Sequence, residues 1–217
     1  MQLYFSPLAC SLASRIALYE AGIDATYVEV DPKTKTLENG ADYRAIHALG
    51  LVPALALAPG EVLTENAAVL QYIAALEPRT SPRGDDARSR AELQRWLCFI
   101  GTELHKAVYQ PLLDETAAAE VHAYALRKLT APMAWLAQHL ESREFLLDPF
   151  SVADAYLYTV LNWCAVTPID LGAWPAIAAY HARVRERPAV KRAFGEERAL
   201  YARQLARHAK AVSPGAV

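Results

Sequence analysis

The chain has 217 residues, 53% of them hydrophobic, which is ample for a buried core in one large domain or two small ones. A formal net charge of -2, with both signs spread along the chain, leaves no basic stripe to neutralise phosphates and argues against nucleic acid as the main partner. Three cysteines, Cys10, Cys98 and Cys164, form neither a disulfide framework nor a close metal-ligand spacing, which fits a reducing, cytoplasmic compartment.

Gln2 to Phe5 reads as a short apolar strand, and Ser6-Pro7 cuts the apolar run before it can serve as a signal peptide. No apolar run of roughly 18 residues occurs, so no membrane partner is expected. Leu12, Ile16 and Tyr19 share one face of a helix closed by Ala21-Gly22, and Thr26 to Val30 reads as a β-branched, aromatic strand. A polar loop and a short helix from Ala41 to Ala48 lead to Gly50. Pro53 to Leu57 and Glu61 to Leu63 then flank Pro59-Gly60, a pair suited to the centre of a type II turn, which predicts a hairpin. A helix with Val69, Leu70, Ile73 and Leu76 inward follows, and Pro78 stops it.

Residues 78–88 are polar and helix-breaking, as a linker is, so the chain divides into residues 1–78, a linker over 79–88 and residues 89–217. The last part is helical almost throughout. Helices are predicted over Asp86–Tyr109, Glu115–Glu141 with a kink or break at Pro132, Val152–Val166, Pro175–Arg187 and Val190–Lys210, with a loose tail from Ser213 to Val217. Ser151-Val152-Ala153-Asp154 puts a hydroxyl at an N-cap and an acid at N3, a capping-box-like start of structural weight.

Cys10, at the turn between the first strand and the first helix, is the candidate nucleophile. Amide N–H groups and the helix dipole favour a thiolate there, and about 2 kcal/mol from that source would bring a thiol from about 8.5 toward 7. The alternative is a small buried hydrophobe, the common fate of a free cysteine. Ala13 stands where a Cys-x-x-Cys pair has its second thiol, so Cys10 needs an external thiol to resolve any adduct. Pro53 opens a strand, where a missing N–H harms the ladder least, and by frequency alone the Val52-Pro53 bond reads as trans. Glu65-Asn66 starts a helix, where Asn is a strong cap and amide donors can receive a carboxylate. On the long helix Leu93, Leu97, Ile100 and Leu104 form the core stripe, while Cys98, Thr102, His105 and Tyr109 form a second seam that can face the first domain across a cleft. A lone histidine on such a face is otherwise a satisfied structural group.

A βαβ unit with a thiol at its first helix start, a proline opening the next strand and an all-helical second part resembles a glutathione S-transferase over essentially the whole chain. The resemblance is strongest to the bacterial beta class. It is carried by Leu3-Tyr4-Phe5-Ser6-Pro7 with Ala9-Cys10-Ser11-Leu12, Gly50-Leu51-Val52-Pro53-Ala54-Leu55, Leu63-Thr64-Glu65, Phe99-Ile100-Gly101-Thr102-Glu103-Leu104-His105-Lys106 and Ser151-Val152-Ala153-Asp154-Ala155-Tyr156. It implies an α/β thioredoxin-like N-terminal domain of order βαβαββα that binds glutathione, and an all-α C-terminal domain that lines the acceptor site. It also implies glutathione as co-substrate without a metal, a homodimer, and a role in detoxification.

Carried over position by position, the resemblance puts Cys10 beside the glutathione sulfur, able to form a mixed disulfide with it. It makes Val52-Pro53 cis, so that the Val52 main chain pairs with the cysteinyl part of glutathione. Glu65 would meet the γ-glutamyl ammonium, and Asn66 stands where a serine commonly meets its carboxylate. His105 and Lys106 would lie beside the site and bias the thiol toward thiolate, Lys35 would contact glutathione, and Glu103 would reach the glutathione of a partner subunit. Two departures point to weak affinity: Cys98 stands where the family often has Asn, and His47-Ala48-Leu49-Gly50 replaces Asn-Pro-Lys-Gly. The expected activity is a transferase that stabilises the glutathione thiolate and directs it at a small hydrophobic electrophile, a disulfide or a peroxide. A thiol transferase route through Cys10 competes with conjugation, and a non-catalytic glutathione-binding scaffold is the alternative.

Overall fold

The computed structural model describes residues 1–77, 80–81 and 86–212. Strand β1 (Gln2–Phe5) buries Leu3, Tyr4 and Phe5, and helix α1 (Leu12–Ala21) follows after a tight turn. Gly22 ends α1 at φ 66°, returning its N–H to the Leu18 and Tyr19 carbonyls, a left-handed cap that costs a glycine little. Strand β2 (Thr26–Glu29) runs parallel to β1. Strand β3 (Ala54–Ala58) lies antiparallel on the other side of β1, with β4 (Glu61–Thr64) antiparallel to it, giving the order β2-β1-β3-β4. Helix α2 (Asn66–Leu76) packs back on the sheet through Val69, Leu70 and Ile73.

Two expectations are corrected here. Instead of a helix over Ala41–Ala48 there is one 3-10 turn, Tyr43–Ala45. The residues before it are tied to the preceding loop by the Thr36–Asp42 bridge, the Leu37 N–H on Ala41 O and the Tyr43 N–H on Lys35 O, and the Asp42 carboxylate takes the Arg44 N–H. Leu76, expected inward, is 47% exposed because it is the last residue of α2. Pro78, the expected helix stop, and the tail Ser213–Val217 lie outside the described residues.

Helix α3 (Ala87–Phe99) starts where Asp86 accepts the Ser89 N–H. It continues without interruption into a wide-turned stretch, Ile100–Tyr109, and then α4 (Gln110–Leu113). The wide pitch is visible where the Gln110 N–H returns to His105 O, five residues back. Helix α5 (Ala119–Leu140) starts later than Glu115 because the Asp114 carboxylate holds the Thr116 N–H and hydroxyl in a turn. It runs through Pro132 as one helix, with Leu129, Met133 and Leu136 seated in the core on either side of the expected break. Helix α6 (Val152–Leu161) is buried along its whole length and passes into a 3-10 stretch, Asn162–Val166, before α7 (Pro175–Arg185) and α8 (Pro188–Val212). Helix α1 packs against α2, α6 and α8, so the α/β part and the helical part share one apolar core. Among the described residues no helix is long and apolar enough to cross a membrane.

The start of α6 is fixed by Asp154, which is fully buried. Its carboxyl accepts the N–H groups of Leu146 and Ser151 and the hydroxyls of Ser151 and Tyr180, at 2.8 to 3.1 Å. Burial pushes its pKa up to about 6 against those donors. The capping box is present, and the same side chain also ties down the loop before it and α7 after it. Asp154→Ala strands these buried donors and is expected to lower the unfolding free energy by about 3 kcal/mol or more in urea titrations, with Asp154→Asn intermediate.

Candidate active site

Between the α/β part and the wide-turned stretch of the long helix lies a cleft of about 500 Å³. Cys10, Lys35, Val52, Pro53, Glu65, Asn66, His105 and Lys106 all line it. Glu103 does not. It is exposed on the outer face with Phe99 and Trp135, its Oε1 accepting the Thr102 hydroxyl.

Cys10 ends a turn closed by Ser11, whose Oγ accepts the Ser6 N–H and donates to Ser6 O, both at 3.2 Å. The Ser11 hydroxyl is thereby spent on the loop and does not cap α1. The Cys10 thiol donates to Val52 O at 3.1 Å, and the Val52-Pro53 peptide is cis. Gly50, at φ 60°, makes room beside this peptide: a Cβ there would stand 3.1 Å from Lys35 Cδ. Glu65 occupies the cap position of α2 at φ 67° and bonds no helix amide through its side chain. Asn66 is therefore the first helical residue and not the cap. Its Oδ1 accepts the Ser14 hydroxyl at 3.0 Å.

The electrostatics at sulfur differ from the expectation. Cys10 meets the cleft with part of its surface, yet protein packs densely around the thiol, and this desolvation pushes its pKa up to about 11. The Lys106 charge and the Cys10 and Ser11 amides pull the other way and lose. His105 is brought down to about 4 by burial, with the Lys106 charge beside it adding to the effect, so it is a neutral imidazole that cannot attract a thiolate by charge. The resting site holds a thiol.

The wide pitch splits the predicted second seam. Cys98, Thr102 and His105 line the cleft, whereas Tyr109 turns into the core, its hydroxyl 2.9 Å from Cys164 Sγ. A second cavity of about 850 Å³ opens from the first at Cys10, Lys35, His105 and Gln110, and its far walls are Leu8, Trp163, Phe194 and Tyr201. Trp163 lines it, whereas Tyr109 and Leu112 do not.

Sequence reasoning missed the groups that hold the Cys10 turn. Leu8 sits at φ 60°, with its N–H donated to Glu197 Oε2 at 2.7 Å and its carbonyl accepting Trp163 Nε1 at 3.0 Å. Glu197 is fully buried on α8 beside Arg15 of α1, with 3.2 Å between Oε1 and Nε. Arg15 also reaches Glu196 and lies over the rings of Phe5 and Tyr27. An arginine between the core positions Leu12 and Ile16 of α1 was the available signal, since a buried arginine demands an acid. Tyr156, quoted above only as part of a motif, lines the cleft with its hydroxyl 2.8 Å from His105 Nδ1.

Two family descriptions match the chain: Glutathione S-transferase, N-terminal domain, over residues 9–76, and Glutathione S-transferase, C-terminal domain, over residues 85–183. The chain is 39% identical over 199 residues to glutathione S-transferase GstA of Escherichia coli O157:H7, covering 91% of this chain and 98% of that protein. Among solved structures it is similar to the bacterial beta class glutathione S-transferase of Sphingomonas chungbukensis, at 40% identity and a TM-score of 0.84 over 91% of this chain and 98% of that one. A sphingomonad glutathione S-transferase complexed with glutathione matches at 41% identity and a TM-score of 0.85, over 91% and 98%.

Burial pushes the Glu197 carboxyl up to about 8 from an ordinary 4.5, with Arg15 opposing. Between those values the folded chain holds a proton that the unfolded chain has released. Stability therefore falls as pH rises, by up to about 1.4 kcal/mol per unit. Thermal melts from pH 6 to 8 are expected to show the melting temperature declining in the wild type and a flatter profile in Glu197→Gln. A wild-type profile no steeper than the variant's would mean that Glu197 is ionised against Arg15.

Proposed function

The chain belongs to the glutathione S-transferase family and is most like its bacterial beta class, and from that premise we propose that the cleft binds glutathione and presents its thiolate to an acceptor in the adjoining cavity. The carrying observation is the convergence of Lys35, the Val52 main chain, Glu65 and Asn66 around Cys10 and His105. Each has a counterpart on the tripeptide. The exposed Glu65 carboxylate suits the γ-glutamyl ammonium, while Asn66 and the uncapped start of α2 suit the adjacent carboxylate. Lys35 suits the glycyl carboxylate, and the Val52 peptide suits the cysteinyl backbone. Residues 1–78 then supply the glutathione side and residues 89–217 the acceptor side, joined over 79–88. The enzyme acts in the cytoplasm in a detoxifying role.

With Cys10 held as a thiol, the attacking sulfur is that of glutathione, and Cys10 serves as a hydrogen-bond donor beside it once its hydrogen turns from Val52 O to that sulfur. The acceptor is a small hydrophobic electrophile, in keeping with Leu8, Trp163 and Phe194 on the second cavity. A slower redox route remains open to Cys10. Its thiol loses a proton and attacks oxidised glutathione, forming Cys10–S–S–glutathione and releasing one reduced glutathione. Mass spectrometry after treatment with oxidised glutathione is expected to show an adduct absent from Cys10→Ala, forming about tenfold faster per pH unit between about 7 and 9. A pH-independent rate would mean a preformed thiolate, and absence of glutathione binding in calorimetry would sink the whole reading.

The exposed face carrying Phe99, Glu103 and Trp135 is assigned to a second copy of the chain, with Glu103 reaching the partner's glutathione. Sedimentation is expected to give a dimer for both wild type and Glu103→Ala, with the KM for glutathione raised about fivefold in the variant. A monomeric wild type overturns this assignment.

A further inference from the structure

Tyr156 lies on α6 in the wall of the cleft, 3% exposed, with its hydroxyl 2.8 Å from His105 Nδ1. Burial keeps the phenol protonated well past its ordinary range and keeps His105 neutral, so two hydrogens are shared between this pair. The contact can run in two directions. If the phenol donates, Nδ1 is bare and the imidazole hydrogen sits on Nε2. If Nδ1–H donates, the phenol hydrogen needs an acceptor elsewhere.

The neighbouring side chains decide between the two. Asn66 faces Tyr156 closely enough to stabilise negative charge on its oxygen. Its Oδ1 is taken by the Ser14 hydroxyl, and its Nδ2 is buried with no hydrogen-bond partner among the described residues. An amide nitrogen only donates. The Cys10 thiol is directed to Val52 O. Among the described residues the one hydrogen-bond partner of the Tyr156 hydroxyl is His105 Nδ1, and the phenol hydrogen goes there.

We propose that Tyr156 is a positioning residue that holds His105 as its Nε2–H tautomer, so that a neutral imidazole presents a fixed hydrogen-bond donor to the glutathione sulfur. The proposal rests on glutathione occupying the cleft as described above. A neutral Nε2–H donates and does not accept. The proton of the bound thiol therefore leaves to solvent water, His105 keeps its own, and the remaining thiolate accepts from Nε2–H. Removing the phenol hydroxyl frees the imidazole to populate both tautomers and withdraws part of that donation, while Lys35, the Val52 main chain and Glu65 are untouched.

The test begins on the free protein. Nitrogen NMR of histidine-labelled protein near neutral pH, with His105 assigned from the signal lost in His105→Gln, is expected to show a bare Nδ1 and a protonated Nε2, shifting toward a tautomer average in Tyr156→Phe. The ultraviolet absorbance of bound thiolate is then expected to show the glutathione pKa raised by about one unit in Tyr156→Phe, with the KM for glutathione within about twofold of wild type. A wild-type His105 protonated at Nδ1 overturns the proposal, as does a Tyr156→Phe variant with unchanged tautomer and unchanged thiolate pKa. If calorimetry shows no glutathione binding, the proposed function fails, and the tautomer measured on the free wild type still decides the role of Tyr156.

Discussion

The geometry of the site depends on the backbone of one residue, Leu8. Its backbone is left-handed without being glycine, a conformation that costs on the order of 1 kcal/mol or more and persists only where the surroundings over-determine it. Both of its polar groups are held by the helical part of the chain: the N–H by Glu197 on α8 and the carbonyl by Trp163 just after α6. Trp163 then packs on His105 at 4.9 Å between ring centroids. The Cys10 turn, the imidazole and the wall of the second cavity are thus registered through two hydrogen bonds that span 189 and 155 residues of sequence. Arg15 extends the same connection from Glu197 into α1, the helix that Cys10 precedes.

That tethering has an electrostatic consequence. A helix start offers a nearby anion at most about 2 kcal/mol, and one exposed lysine adds little through solvent. Drawing protein around a sulfur withdraws hydration worth several kcal/mol to a bare charge. At Cys10 the second effect wins, as the rise to about 11 records. The same packing that fixes the turn in place suppresses its ionisation, and Lys106 at the cleft edge does not restore it. Position relative to a helix terminus is therefore a poor guide to thiol pKa unless solvent access is known.

This explains which parts were legible from the residues. Strand β1, the βαβ start, the Pro59-Gly60 hairpin and the Ser151–Asp154 cap follow from local patterning, because each depends on neighbours within a few positions. The cluster of Cys10, Val52, Glu65 and His105 was found through family likeness, since nothing local brings residues so far apart together. Three things escaped. The wide pitch over Ile100–Tyr109 leaves no mark in a pattern read at 3.6 residues per turn, so Tyr109 was put on the cleft seam when it belongs to the core. The partners of Arg15 are nearly two hundred residues away. The cap at α2 was assigned to Asn66 by propensity, whereas the backbone at Glu65 takes that position and Asn66 turns to Ser14.

The distribution of charge across the cleft follows one logic on the proposed reading. Formal charges sit at its edges, with Lys35 against carboxylate, Glu65 against ammonium and Lys106 exposed, where solvent lowers the cost of keeping them ionised. The groups nearest the sulfur, the Cys10 thiol, the His105 imidazole and the Tyr156 phenol, are all neutral. A neutral donor set stabilises a thiolate by hydrogen bonding alone, which leaves the sulfur more nucleophilic than pairing with a fixed cation would, since its charge is shared and not cancelled. The second cavity opens onto that sulfur through largely apolar walls. Low dielectric on the acceptor side strengthens each donor in the site.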